Sequence, residues 1–211
     1  MNRKFFIAIF AFCAIAAAFA FAHGAFAQEQ NAAEHYKIGD KGPGGGIVFY
    51  YSEAGFPVQD SDDATPVICH YLECSPEELG ETTWCSRSCM KNGGCNFNNT
   101  TDDVGGGKLN TFHIANYEHE EPLTLSNCAA YACSKYSTET TKEGEWYLPS
   151  KMELNLIYEY FQKSGKIVSD EWYWSSSEHN DYYMWCQRLS NGSDGLFRRS
   201  DSWRVRAVRA F

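Results

Sequence analysis

The chain has 211 residues, with 18 Lys and Arg against 27 Asp and Glu and a formal net charge of −9. A balance that acidic opposes nucleic-acid phosphate and anionic lipid over the molecule as a whole, so neither is expected as a partner. The length suits one domain behind a leader, large enough to bury a real core.

Arg3 and Lys4 precede an apolar run from Phe5 to about Ala22, and Ala25-Phe26-Ala27 stands before Gln28. A basic flank, an apolar stretch and a small-x-small site in that order read as a secretory signal peptide over residues 1–27. The run is near the length of a spanning helix. The cleavage pattern and the lack of a basic flank after the run favour removal, and no transmembrane segment is expected in what remains. Loss of Arg3 and Lys4 moves the net charge from −9 to −11. The expected location is outside the cytoplasm: periplasm, cell surface or medium.

Nine cysteines are present, and Cys13 leaves with the leader. Cys69, Cys74, Cys85, Cys89, Cys95, Cys128, Cys133 and Cys186 remain, an even set that reads as disulfides in an exported chain. Zinc is the rival, but Cys85-x3-Cys89-x5-Cys95 matches no established finger spacing. Connectivity stays open, with one exclusion. If Cys128 and Cys133 share a helix, five residues turn about 500°, which points the two side chains apart.

In chain order, residues 28–35 are polar and read as a flexible tail. Gly39 to Gly46 is turn-rich and feeds a strand, Ile47-Val48-Phe49-Tyr50-Tyr51, which Gly55 and Pro57 should end. Residues 58–108 are polar and cysteine-rich, too long for a plain loop, and read as a disulfide-pinned excursion. Leu125, Cys128, Ala129, Ala132 and Cys133 predict a helix over 124–137. Ser150-x-x-Glu153 is a capping box. Leu154, Ile157, Tyr158 and Phe161 then form one apolar stripe, and Gly165 supplies the stop. From 172 onward aromatic strands dominate, with a turn at Asn191–Gly195 and a last strand from Arg204 to Phe211. The pattern is α+β.

Four ordered motifs carry a resemblance: Ile38-Gly39-Asp40 through Gly44-Gly45-Gly46-Ile47-Val48-Phe49-Tyr50; Trp146-Tyr147-Leu148-Pro149-Ser150 with Glu153-Leu154; Tyr173-Trp174-Ser175-Ser176-Ser177-Glu178; and Val205-Arg206-Ala207-Val208-Arg209-Ala210-Phe211. Together they resemble the bacterial DUF1566 family, also called the Lcl C-terminal domain after a collagen-like adhesin, over about residues 36–211. The resemblance implies a C-type-lectin-like fold, with two helices on small antiparallel sheets and paired chain ends. Adhesin relatives imply binding of sulfated polysaccharide. No collagen-like repeat precedes the domain here, so trimerisation by that route is not expected, and the five-cysteine excursion at 58–108 departs from the family.

Other constellations favour bland readings. The glycines of Gly42–Gly46 precede a strand and lack the Gly-Lys-Ser/Thr of a phosphate loop. His119-Glu120-Glu121 and His179-Asn180-Asp181 lack metal-site spacing. Asp60, Asp62 and Asp63 form one oxygen cluster, and Asn96, Asn98, Asn99, Asp102 and Asp103 form another. Neither has EF-hand spacing. Glu121-Pro122-Leu123 lacks the third ligand of a lectin calcium motif. No cofactor is expected, with calcium the alternative to be tested. Ser175-Ser176-Ser177 has no nucleophile elbow around it. The related formylglycine-generating oxidases need a late cysteine pair, and only Cys186 follows Cys133.

Aromatics are dense between 172 and 185, with Trp146, Trp174 and Trp185 expected in the core and tyrosines partly outward. Arginines gather in the last quarter, and their forks suit sulfate and carboxylate, or the protein's own acids. The expected ligand-binding residues are Tyr173, Tyr182, Tyr183, Arg188, Arg198, Arg199, Arg204 and Arg206. The function expected is a non-enzymatic binding or adhesion-type domain for anionic polysaccharide, another glycan or a surface protein. The alternative is a structural envelope or surface-display protein without a small ligand.

Overall fold

The computed structural model describes residues 35–86, 97, 100–117, 122–166 and 168–211. The expected leader, most of the polar tail, Cys89, Cys95, Asn96, Asn98, Asn99 and His119–Glu121 lie outside the described residues. Tyr36–Phe211 form one compact unit. No helix among the described residues is long and apolar enough to cross a membrane.

Two sheets and three helices make up the described part, an α+β arrangement. Strands β1 (Ile47–Val58), β2 (Val67–Cys74) and β8 (Val208–Ala210) form an antiparallel sheet in that order. A five-stranded sheet has the order β3 (Glu81–Thr83), β7 (Ser202–Arg204), β4 (Trp172–Glu178), β5 (Tyr183–Arg188), β6 (Asp194–Arg198). Its strands pair antiparallel except β4 with β7. The helices are α1 (Gly107–Asn116), α2 (Ala129–Lys135) and α3 (Lys151–Ser164).

Helix α3 follows its sequence signals. Ser150 accepts from the Glu153 amide while Glu153 accepts from the Ser150 amide, and Gly165 closes the helix at φ 65. Leu154, Ile157, Tyr160 and Phe161 are buried on one face, which packs on β1 and the five-stranded sheet.

Several expectations need correction. Gly55 and Pro57 do not end β1; a register shift between Tyr51 and Phe56 absorbs Gly55, Pro57 stands opposite Ile68, and pairing continues to Val58. The stretch 58–108 contains β2 and β3, so it is not irregular throughout. The helix expected over 124–137 is confined to α2, because Asn127 folds its side chain back onto the Thr124 amide and the chain turns there. A third helix, α1, follows Gly106. The last strand is broken at Val205–Ala207 into β7 and β8, one in each sheet.

The glycine-rich turn before β1 holds a carboxylate of its own chain. Gly44 and Gly46 donate to Glu73 at 2.9 Å each, and Glu73 is fully buried. A Cβ on Gly46 would stand 2.6 Å from the Cys74 carbonyl oxygen, so only glycine lets the loop wrap this close.

Two apolar clusters form the core. Trp84, Ile114, Trp146, Trp174 and Met184 centre one; Leu72, Tyr147, Leu154, Ile157, Tyr173 and Val208 centre the other. Trp146 and Trp174 are buried as expected, whereas Trp185 is half-buried on the outer side of β5.

Candidate binding face

The structure divides the eight expected ligand-binding residues. Tyr173 is fully buried, because β4 is covered on both faces, and its hydroxyl donates to Glu78. Arg204 also donates to Glu78, and Arg206 lies 3.7 Å from it. Burial works against the charge on Glu78, but hydrogen bonds from Tyr173 and Arg204 outweigh it and hold its carboxyl below the usual range. Arg206 is buried and donates to the Ser75 and Pro76 carbonyls at 2.6 and 3.2 Å. Arg199 is buried over the Trp84 ring, 3.6 Å from Glu178. Burial pushes Glu178 up to about 7, against the pull of Arg199. Tyr173, Arg199 and Arg206 are in the interior and Arg204 is half-buried; the chain uses its own carboxylates to neutralise these arginines. Arg209, outside the expected set, is likewise held between Glu73 and Glu145.

Tyr182, Tyr183, Arg188 and Arg198 reach the surface, Arg188 only partly. The Arg188 guanidinium sits 4.9 Å from the Trp172 ring centroid and 3.5 Å from Asp170. The hairpin His179–Tyr182 turns with Asn180 Oδ1 accepting from the Tyr182 and Tyr183 amides. Beyond it, β5 and β6 place Tyr183 opposite Arg198 and Trp185 opposite Leu196. Alternation puts these four on one face, and Met184 and Cys186 on the buried one. Tyr183 and Leu196 are exposed, and Arg198 makes no ion pair among the described residues. Lys151, the first residue of α3, holds its ammonium 3.3 Å from the Trp185 centroid and 3.8 Å from Asp194. The His179 ring meets Trp185 edge-on at 5.3 Å. The result is an open aromatic shelf with two cations at its margin.

A groove leads onto this shelf. A cavity of about 420 Å³ runs from Lys151 and Asp194 past Asp102, Asn155 and Leu156 to Glu159 and Tyr50. A second of about 540 Å³ shares Tyr50, Leu156 and Glu159 and continues to Tyr51, Tyr160 and Lys163. Together they follow the seam between β1 and α3.

No protein-family model and no curated protein matches this chain. A solved structure similar to it is a fimbrial protein from Bacteroides ovatus, at 18% identity and a TM-score of 0.43. The alignment covers 84% of this chain and 49% of that one, so this chain spans about half the length of that structure. A likeness at this level carries no argument about function.

Candidate chemistries meet structural partners instead of substrate. Ser175, Ser176 and Ser177 are fully buried, and their hydroxyls donate to the carbonyls of Trp185, Pro149 and Thr101. Asp60 pairs with Lys108 at 2.6 Å and Asp62 with His113 at 2.9 Å, which disperses the first oxygen cluster. No three His, Cys, Asp or Glu side chains gather for a metal among the described residues.

The six described cysteines are buried free thiols, so the expected bridges are not formed among them. Cys69 and Cys74 are five residues apart on one strand, ~16 Å by strand rise, too far to join each other. Cys128 caps α2 with extended backbone and Cys133 lies within it, so the two do not share the helix on which the expected exclusion depended. Burial pushes Cys128 up to about 11 and Cys85 to about 12, so neither is a ready thiolate.

The shelf was half legible. Tyr183 and Arg198 were named from the sequence; Trp185, Leu196 and Lys151 were not. Alternation from Tyr183 to Trp185, set against Leu196 and Arg198 after the Asn191–Gly195 turn, is the signal that links them.

Proposed function

We propose that this is an exported, non-enzymatic binding domain of the DUF1566 or Lcl C-terminal type, and that the β5–β6 shelf is its contact surface. The observation that carries the reading is the direct opposition of exposed Tyr183 and Arg198, beside Trp185 and Leu196. Aromatic rings suit the apolar faces of sugar rings, and a guanidinium with no acidic partner among the described residues suits sulfate or carboxylate. An anionic polysaccharide is therefore the ligand class, with the Lys151 ammonium as a second positive point.

The C-type-lectin-like assignment draws support from the nearness of the chain ends, although β2 stands between β1 and β8 and the expected direct pairing of the ends is not formed; the Tyr36 ring meets Phe211 edge-on at 5.3 Å. Export is supported by the leader pattern before Gln28.

The test is retention of the full chain on immobilised heparin across ionic strength, with a glycan array run with and without chelator. The expected result is retention at low salt that falls steeply as salt rises, and array binding that survives chelation. No retention at low salt together with a silent array overturns the reading. It would leave the surface-display alternative, which the internal pairing of Arg199, Arg204 and Arg206 favours.

A further inference from the structure

Tyr183 and Arg198 are the last paired positions of β5 and β6. Strand ends fray unless something ties them. Arg199, the next residue, supplies the tie. Its amide donates to the Tyr182 carbonyl at 3.3 Å, and its Nη2 donates to the Asp181 carbonyl. The same Nη2 lies 3.6 Å from Oε1 of Glu178, where β4 ends. One guanidinium therefore meets both the start and the tip of the hairpin that carries Tyr182 and Tyr183.

The other side of Arg199 is anchored in the core. Its carbonyl accepts from the Trp84 amide at 3.0 Å, and its Cζ lies 5.7 Å from the centroid of the Trp84 ring, within cation–π range. Trp84 is fully buried and Arg199 is 4% exposed. Successive side chains along a strand point to opposite faces, so an Arg199 held inward turns Arg198 outward. The Arg198 amide also donates to Asp201 Oδ2 at 3.1 Å, which fixes the backbone of the turn that follows.

We infer that Arg199 is the positioning residue of the shelf, clamping the hairpin tip to the end of β6 so that Tyr183 and Arg198 stand ready for one anionic ligand. The inference rests on the shelf reading above. A pair already in place spares the ligand the cost of ordering a loop and two side chains. The role needs arginine. A planar fork reaches a carbonyl and a carboxylate together while it lies over an indole, whereas a lysine ammonium of the same charge is a point donor. Arg199 thus serves the ligand from behind the two residues that touch it.

The test is Arg199→Lys in the full chain, which keeps the net charge. The protein is eluted from immobilised heparin by salt, at a temperature where its melting curve shows it folded. Elution at lower salt than wild type is expected. The loss should vanish in an Arg198→Ala/Tyr183→Ala background, because Arg199 acts only through that pair. A role confined to stability lowers the melting temperature and leaves the elution of folded protein unchanged. Unchanged elution therefore overturns the inference, as does a loss that persists in that background.

Amide hydrogen exchange gives a readout that needs no ligand. Exchange over residues 179–183 should quicken in Arg199→Lys while exchange in α3 stays at the wild-type rate. Arg199→Gln, which leaves no charge to bury, is the second variant for this measurement should the lysine variant fail to fold. If heparin does not retain the wild type, the shelf reading falls and exchange alone decides the role of Arg199: an unchanged rate over 179–183 overturns it.

Discussion

Arg209 Nη1 donates to Glu73 Oε1 at 2.8 Å, across the directly paired positions of β2 and β8. The acid is fully buried and also holds the amides of Gly44 and Gly46, so one side chain joins the first turn, the second strand and the last. Removing Arg209 leaves Glu73 buried with only the Gly44 and Gly46 amides, and removing Glu73 strands those two amides and leaves Arg209 to Glu145 alone. Glu73→Ala is expected to cost about 3–5 kcal/mol. Gly46→Ala, whose Cβ would also meet Trp146 at 2.8 Å, is expected to cost about 1–3 kcal/mol by overpacking. Urea denaturation midpoints check both, and a loss below about 0.5 kcal/mol for Glu73→Ala would contradict the account.

Two other acids set the pH dependence. Burial pushes both Glu153 and Glu178 up to about 7. In the unfolded chain each returns to the ordinary range near 4.5. Between those limits the folded state binds more protons, so stability falls as pH rises and levels off above about 7. Each group contributes a slope of at most about 1.4 kcal/mol per pH unit. Chemical denaturation is therefore expected to give a higher midpoint at pH 5 than at pH 7.5. Glu178→Gln is expected to reduce the difference. A midpoint that rises over this interval would refute the assignment of these two carboxyls.

How far the sequence foretold the fold depends on which force holds each element. Helix α3 was legible because its cap, its apolar stripe and its glycine stop are local signals. Helix α1 was not, although Gly107, Asn110, Thr111 and Ile114 are buried at helical spacing. That face is mostly polar and is held by hydrogen bonds to distant segments, so hydropathy gives it no stripe. The buried roles of Arg199, Arg206 and Tyr173 were hidden for a related reason. Their partners Glu178 and Glu78 are fixed by tertiary pairing, and composition alone does not separate a buried arginine from a ligand-binding one. Tyr183 and Arg198 were legible because a hairpin turn and strand alternation are enough to face them outward.

The polar seam of α1 yields its own prediction. Asn110 donates to the Thr101 carbonyl at 2.8 Å and to Ser176 Oγ at 3.1 Å, and accepts from the Thr101 amide at 2.9 Å. Asn110→Ala strips all three and is expected to cost about 2–4 kcal/mol, more than Ser176→Ala at about 1–2 kcal/mol. The double variant should cost less than the sum, since one hydrogen bond is shared. Strict additivity in denaturant melts would show that the serines of β4 act independently of α1.

The arginines separate binding from folding. Arg206→Ala removes a buried guanidinium from the Ser75 and Pro76 carbonyls and from Glu78, and is expected to cost about 3–5 kcal/mol. Any change in its heparin retention should follow loss of folded protein. Arg198→Ala touches an exposed side chain and is expected to leave the melting temperature unchanged while lowering the salt needed for elution from heparin. Tyr183→Ala should weaken retention too, and Tyr183→Phe should restore most of it, because the ring face makes the contact. A shelf that binds requires Arg198 and Tyr183 to affect elution without affecting melting. If elution instead tracks melting through the whole set, the positive charge that heparin meets lies elsewhere, and the β5–β6 pair is only the outer wall of the sheet.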